Sequence, residues 1–255
     1  MQPSRPLPLT RLAGALAGLT LLLPGPLAMA AGAGEASAAQ LQSLEAALNG
    51  EGSLDSVLES GPGLDPQLVE LQRRALLASF PDARWRLSAG RSLRDGRKTV
   101  DLQVMGSRQE GPTRYRLQAN QQLVLSSNGS RINGQTVLRE QALLRSGDAD
   151  LPVSLQIPDA VLTGQRYDVD VVVDEPLNGA IMAGGITAVS GQQRASLTSP
   201  GIDLGALGGG GLFKTVQAPF SPGEQTWAVL LVHPKGVVSA TKRVRVVADK
   251  SQLNP

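Results

Sequence analysis

TWAVLLVHPKGVVSATKRVRVV, residues 226–247, is the stretch that decides the fold. Its first half is apolar on both strand faces, which is typical of a strand inside a sheet that is covered on both sides. The segment HPKG at 233–236 predicts a tight turn, because Pro234 presets φ and Gly236 can take a left-handed conformation. The returning strand has one apolar face, and its other face is expected to be exposed to solvent and carries Thr241, Arg243 and Arg245. The stretch therefore predicts a β-hairpin that ends a sandwich.

The residues before this hairpin predict helices followed by antiparallel strands. Asp65-Pro66 indicates a helix start, because Asp caps free N–H groups and Pro suits the first turn. The helix is expected to run to about Ser79, and the residues expected to face inward are Leu68, Leu71, Ala75 and Leu76. From Arg84 the hydrophobic period changes to two, which predicts a four-stranded antiparallel meander with one dry and one wet face. The helix is expected to cover the dry face.

Segment 146–152, SGDADLP, predicts a boundary, and every segment after it favours strand. The clearest alternation runs from Tyr167 to Asp174. The predicted fold class is an α+β N-terminal domain, with helices plus a four-stranded antiparallel meander, followed by an all-β immunoglobulin- or fibronectin-like sandwich. The predicted bounds are a signal peptide at 1–30, a flexible lead-in with short helices at 31–64, the helix-plus-meander domain at 65–147, the sandwich at 151–248 and a tail at 249–255.

The N-terminus has the pattern of an export signal. Arg5 and Arg11 precede the apolar run Leu12–Leu23, and Ala28-Met29-Ala30 fits a small-x-small cleavage site. The run is shorter than the twenty or so residues that span a bilayer. We therefore expect an exported protein, periplasmic or extracellular, or in the thylakoid lumen if the source is cyanobacterial, with no integral membrane segment after leader cleavage. An uncleaved anchor is the alternative.

Composition excludes several classes of function. The chain has 24 Lys+Arg and 22 Asp+Glu; the leader holds two Arg, so 24 − 2 = 22 bases balance 22 acids after cleavage. A net-neutral exported chain does not indicate a nucleic-acid partner. The absence of cysteine excludes disulfides and thiolate metal sites. Two Trp, two Tyr and three Phe argue against an aromatic-lined sugar cleft or a base-stacking platform.

No catalytic constellation is visible, so no catalytic residue and no cofactor are predicted. His233 is the single histidine, there is no G-x-S-x-G motif, and the Gly-rich stretch Gly205–Gly211 lacks the Gly-Lys pair of a phosphate loop. The candidates for a metal site are three carboxylates on one side of one strand, Asp168, Asp170 and Asp174. Such a row is able to bind Ca²⁺ at a sheet edge, to act as a general acid and base pair, or simply to keep a sheet face soluble, and these interpretations stay open.

The dense basic segment at 83–116 carries nine bases and three acids. Adjacent strands of one sheet are expected to bring several of these bases onto a common wet surface. The predicted ligand-binding residues are Arg84, Arg86, Arg97, Arg114 and Arg116. The favoured hypothesis is an exported non-enzymatic binding or assembly module whose partner is a protein or an envelope polymer. The alternative is a small-ligand-binding protein or hydrolase with a pocket where the meander curves over the helix, using Asp101 or Glu110.

The segment LLRSGDADLPVSLQIPDAVLTGQRYDVDVVVDEPL, residues 143–177, together with the leader, the meander and the terminal hairpin, resembles uncharacterised exported proteins of cyanobacteria with an immunoglobulin-like C-terminal domain. This resemblance covers residues 80–248 and brings no known active site. The helix followed by a curved meander is also similar to the nuclear-transport-factor-2-like fold, which usually has more helices before its sheet. The pocket residues of that fold have no recognisable motif here.

Overall fold

The structure, a computed structural model, describes residues 34–147, 151–174, 180–207 and 210–255. The predicted signal peptide lies outside these residues. The described helices are α1 (Ala38–Leu48), α2 (Leu54–Val57), α3 (Pro66–Ser79) and α4 (Gly191–Ala195), and a 3-10 turn follows at Lys250–Gln252. None of these helices has the length and apolar character needed to cross a membrane.

The described strands number thirteen and dominate the chain. They are β1 (Gly34–Glu35), β2 (Arg84–Ser92), β3 (Lys98–Glu110), β4 (Thr113–Ser127), β5 (Ile132–Ser146), β6 (Val153–Gln156), β7 (Ala160–Leu162), β8 (Arg166–Val173), β9 (Met182–Val189), β10 (Gly205–Leu207), β11 (Gly211–Gln217), β12 (Gly223–His233) and β13 (Gly236–Val247).

The predicted fold class is wrong. The described chain is mostly β, and the strands of both halves join in one ten-stranded, mainly antiparallel sheet. Its order is β10-β9-β12-β13-β5-β4-β3-β2, with β1 beside β4 and β7 beside β13; a second sheet has the order β11-β8-β6. The predicted α+β domain and separate sandwich are replaced by this shared sheet, because β13 of the closing hairpin pairs with β5 of the meander. Pairing between segments so distant in sequence leaves no trace in the local period of either strand.

The ten-stranded sheet is covered on opposite faces in its two halves. The front face, which we define by Val100, Leu117 and Leu144, packs against α1–α3 in the meander half. The back face is the opposite one. In the other half it carries Val229 and Ala240, which pack against β6 and β8 of the three-stranded sheet. The meander half of the back face therefore stays uncovered.

The predicted bounds and cap of helix α3 are confirmed, and so is the inward position of Leu76, but the predicted inward position of Leu71 is wrong. The Asp65 side chain accepts hydrogen bonds from the backbone N–H groups of Gln67 and Leu68. The buried residues of the helix are Pro66, Val69, Gln72 and Leu76, whereas Leu71 is 52% exposed. Helix α3 has two apolar stripes at helical spacing. The stripe that packs on the sheet contains Val69 and Leu76 and leads to buried Phe80.

The closing hairpin has the predicted turn, since His233 pairs with Gly236 around a two-residue loop. Gly236 passes so close to β5 that a Cβ added there would lie 2.1 Å from the carbonyl oxygen of Ser146. The expectation that Thr241, Arg243 and Arg245 lie on a solvent-exposed face is wrong, because all three are buried. The front-face Glu140 of β5, residue Arg194 of α4 and the chain end at 252–253 cover that side of β13.

Candidate functional site

A polar groove of about 630 Å³ crosses the uncovered part of the back face. Its floor consists of two transverse rows of directly opposed residues on neighbouring strands. The first row runs over five strands, from β2 to β13, and consists of Arg86, Gln103, Asn120, Gln141 and Lys242. The second row runs over four strands and consists of Ser88, Asp101, Gln122 and Arg139. With neighbouring strands about 4.8 Å apart, the longer row spans about 19 Å.

The floor carries both hydrogen-bond donors and acceptors. Gln103 Nε2 donates to Asn120 Oδ1 at 3.4 Å, and Gln122 Nε2 donates to Asp101 Oδ1 at 3.3 Å. Each carboxamide has two N–H donors and an oxygen with two lone pairs, so these contacts leave capacity for a ligand. Such a floor is suited to hydroxyl and carboxylate groups.

One wall of the groove is a carboxylate between two bases. Asp159, in the loop before β7, forms ion pairs with Arg139 through Oδ2 at 2.9 Å and with Lys242 through Oδ1. Arg139 is half exposed, whereas the Lys242 side chain is only 8% exposed. Asp159 therefore fixes Lys242 in place and leaves part of the Arg139 side chain accessible from the groove.

Further bases extend the polar surface beyond the groove. Arg116 of β4 and Arg145 of β5 are directly opposed on the back face, and Arg114 lies two residues before Arg116 on the same face. On β2, Arg84 is paired with Met105, so it shares this face with Arg86. Four of the predicted ligand-binding residues, Arg84, Arg86, Arg114 and Arg116, are therefore on one surface.

This surface is strongly basic. Among the described residues its bases are Arg84, Arg86, Arg91, Arg114, Arg116, Arg139, Arg145 and Lys242. Among the described residues, the acids of this surface are Asp101 and Asp159. Asp82 lies at its edge, where the carboxylate accepts hydrogen bonds from Ser107 N and Oγ. A surplus of this size on one face of a nearly neutral chain attracts anions.

The remaining predicted polar residues lie in three different places. Arg97 is separate from the other arginines, at a turn where it forms an ion pair with Asp95 at 2.6 Å. Asp101 is in the groove floor. Glu110 ends β3 at the tip of a hairpin, where it is 3.6 Å from Arg108.

The three candidate aspartates lie outside the groove, Asp168 and Asp170 in β8 and Asp174 directly after it. Tyr167, Val169 and Val171 face the large sheet, so the alternating aspartates point the other way. Asp168 accepts from Thr215 Oγ1 and Asp174 from Ser154 Oγ, both at 2.7 Å. Within the described ranges no three His, Asp or Glu side chains come together as metal ligands.

Several groove residues were not predicted from the sequence, but the sequence pattern around one of them, Lys242, indicated a special position. Lys242 falls on the same strand face as Val238, Ala240, Val244 and Val246, so it interrupts an otherwise apolar stripe. A charge at such a position needs a polar partner, here Asp159. The alternation of Gln118, Asn120 and Gln122 in β4 was visible, but the contributions of β5 depend on a register shift near Gln122 that has no local signature.

Beneath the groove, the front face holds a buried charge cluster. Arg243 Nη1 is 3.3 Å from Glu140 Oε2, and Arg243 and Arg194 both form ion pairs with Glu224. Burial raises the pKa of Glu140, against the opposing charge of Arg243, and burial lowers the pKa of Arg243. These residues tie β5, β12, β13 and α4 together and thereby support the strands that form the groove floor.

The space between helices and meander, where the alternative hypothesis needs a pocket, is occupied by core side chains. Trp85, Leu117 and Leu123 are buried there together with Leu76 and Leu48. The predicted contribution of Leu71 to this packing is wrong, since Leu71 is exposed. The groove is therefore on the face opposite the one where that pocket was expected.

One family model, described as a domain of unknown function (DUF8623), matches residues 148–247. The match includes β6–β13 and therefore Asp159 and Lys242 of the groove, but not the meander. No curated protein matches the chain. The resemblances to exported cyanobacterial proteins and to the nuclear-transport-factor-2-like fold stay predictions.

Proposed function

We propose that this protein is an exported, non-enzymatic binding module that holds an acidic polysaccharide of the cell envelope in its back-face groove. The observation that carries the proposal is the five-strand row from Arg86 to Lys242 with its carboxamide centre. The basic n-region, apolar run and cleavage pattern of residues 1–30 support export.

The shape and chemistry of the surface favour a polymer over a folded protein. Energetically dominant residues of protein interfaces are enriched in Trp and Tyr, which pack into dry pockets. The large exposed apolar residue on the described part of this face is Met105, and the groove floor consists of amide, guanidinium, ammonium, hydroxyl and carboxylate groups. A polar groove floor about 19 Å long is suited to an extended chain of sugar units.

The charge of the surface favours an acidic polymer over a neutral one. Binding of neutral sugars commonly relies on aromatic stacking, and the described back face of the meander offers no aromatic ring for it. The planar guanidinium groups of the arginines can instead form bidentate hydrogen bonds with carboxylates. Hydroxyl groups of the same polymer are complementary to Gln103, Asn120 and Gln141.

A binding panel on the full mature chain tests the proposal. Calorimetric titration should show binding of polygalacturonate and alginate fragments, with an affinity that falls steeply as salt rises from 50 to 300 mM. Neutral dextran and amylose of matched length should bind at least tenfold more weakly. Equal affinity for neutral and acidic chains, or tighter binding of a DNA duplex than of either uronate, would contradict it.

A further inference from the structure

A second cavity, of about 620 Å³, lies beyond the point where the pairing of β5 with β13 ends, and its lining shares no residue with that of the polysaccharide groove. Its volume is within the roughly 300–1,000 Å³ typical of small-molecule sites. The turn with Arg97 lines one side, and the chain end, including Gln252 and Pro255, lines another. Arg97, predicted from the sequence to bind a ligand, is therefore at this cavity and not in the groove.

Much of the cavity lining is apolar. Val124, Leu125 and Leu138 contribute from the paired ends of β4 and β5, and Val247 contributes from the end of β13. Leu125, Leu138 and Val247 are each at least 95% buried in the folded chain. Such a surface favours the hydrocarbon part of a ligand, because burial removes apolar area from water.

A buried cation is also part of this lining. Arg245 is 6% exposed, its Nε donates to the carbonyl of Leu138 at 3.0 Å, and its Nη1 donates to that of Gln252 at 3.1 Å. Its Nη2 is 3.5 Å from the carbonyl of Leu253. All three acceptors are neutral. In the described chain, these contacts leave two of the five N–H donors of Arg245 for a ligand.

The charge of Arg245 lacks a contacting carboxylate among the described residues. The acid that acts on it electrostatically is Asp159, whose oxygens are engaged by Arg139 and Lys242. Burial lowers the pKa of Arg245, and neighbouring Arg243 and Arg139 add to this effect. A buried charge is costly unless it is paired, so an anionic group in the cavity would be stabilised here.

We propose that this cavity binds a small amphipathic anion, with a carboxylate or phosphate head group at Arg245 and an apolar body against Val124, Leu125 and Leu138. Two free donors on one guanidinium match the two oxygens of such a head group. The 3-10 turn at Lys250–Gln252 closes one side of the cavity. Asp249 caps this turn, because its Oδ1 accepts a hydrogen bond from Ser251 N at 2.8 Å. The site is independent of the groove proposed above.

Calorimetric titration of the full mature chain with decanoate, decyl phosphate and decanol, all below their critical aggregation concentrations, tests the proposal. At least one of the two anions should bind at least tenfold more tightly than decanol, and the comparison between them identifies the preferred head group. Absence of binding by both anions, or decanol binding as tightly as they do, would overturn the proposal.

Two variants locate the site. Val124→Trp fills the cavity and should weaken anion binding at least tenfold, whereas Met105→Trp on the exposed back face should leave it unchanged. Arg245→Met should reduce the affinity for the anion to that for decanol. If Arg245→Met does not fold, Val124→Trp alone decides, and unchanged binding by that variant refutes the assignment. Arg84→Gln/Arg86→Gln removes two bases of the proposed polysaccharide surface and should leave anion binding unchanged, so the two proposals fail separately.

Discussion

Gln141 in the meander strand β5 and Lys242 in the closing hairpin strand β13 are directly opposed residues of adjacent strands. This pairing has two consequences. It joins the N-terminal and C-terminal halves of the chain in one sheet, and it places Lys242 at the end of the polar row that begins with Arg86. The groove therefore requires both halves of the chain, although four of its five strands come from the first half.

Unfolding should be a single transition for both halves, because β5 and β13 are paired from Gln141 to Ser146. The two tryptophans provide matched probes: Trp85 is in the core under the helices, and Trp227 is in the core under the small sheet. In the Trp85→Phe variant, the fluorescence of Trp227 reports the unfolding of the C-terminal half. In the Trp227→Phe variant, the fluorescence of Trp85 reports the unfolding of the N-terminal half. Within each variant, urea transitions followed by fluorescence and by circular dichroism should coincide. Separated midpoints would show that the halves unfold independently.

The hydroxyl of Tyr167 should stabilise the core between the two sheets. It accepts from Trp227 Nε1 at 3.0 Å and donates to Gln225 Oε1 at 2.7 Å. Tyr167→Phe leaves both groups without this partner, so the free energy of unfolding should fall by about 1–3 kcal/mol. Tyr115→Phe is the control, since its hydroxyl makes no hydrogen bond to the described residues and its loss should cost less. Urea denaturation of both variants measures the difference; equal losses would contradict the role of the hydrogen bonds.

Buried Glu140 should make stability depend on pH. Burial raises its folded-state pKa above the unfolded value of about 4.3, so its contribution to stability is present below about pH 4 and is lost as pH rises through the folded pKa. Glu140→Gln removes this titration. Relative to that variant, the free energy of unfolding of the wild type should decrease between about pH 4 and pH 8. Denaturation series at several pH values measure this, and a difference that is constant or increases with pH would be inconsistent with a raised pKa.

Local features of the structure were predictable from the sequence because their causes are local. The Asp65-Pro66 start of α3 needs one side chain and the adjacent N–H groups, and the turn before Gly236 depends on two residues. The alternation of Tyr167 to Val173 likewise gave the correct inward face, since a strand has a period of two wherever it pairs.

The sheet partner of each strand was not predictable, and the errors follow from this. Arg243 and Arg245 were assigned to solvent because the covering groups, Glu140 and the carbonyl of Gln252, are distant in sequence. The period-two patterns of β2 and β4 were enough to predict that the basic residues of these strands share a surface. The contributions of Arg139, Arg145 and Lys242 needed the β4–β5 and β5–β13 registers, which only the tertiary structure supplies.

The groove is tested most directly by comparing two variants that remove the same charge from different faces. Arg84→Gln/Arg86→Gln changes the back face, whereas Arg74→Gln/Lys98→Gln removes two side chains that are about three-quarters exposed and lie away from it. With roughly 0.5–1 kcal/mol per exposed charge pair, the first variant should bind polygalacturonate about 5- to 30-fold more weakly at 100 mM salt. The second should bind within about twofold of the wild type, since neither Arg74 nor Lys98 lines the groove. Equal loss in both variants, or no loss in the first, would contradict the assignment of the groove as the binding site.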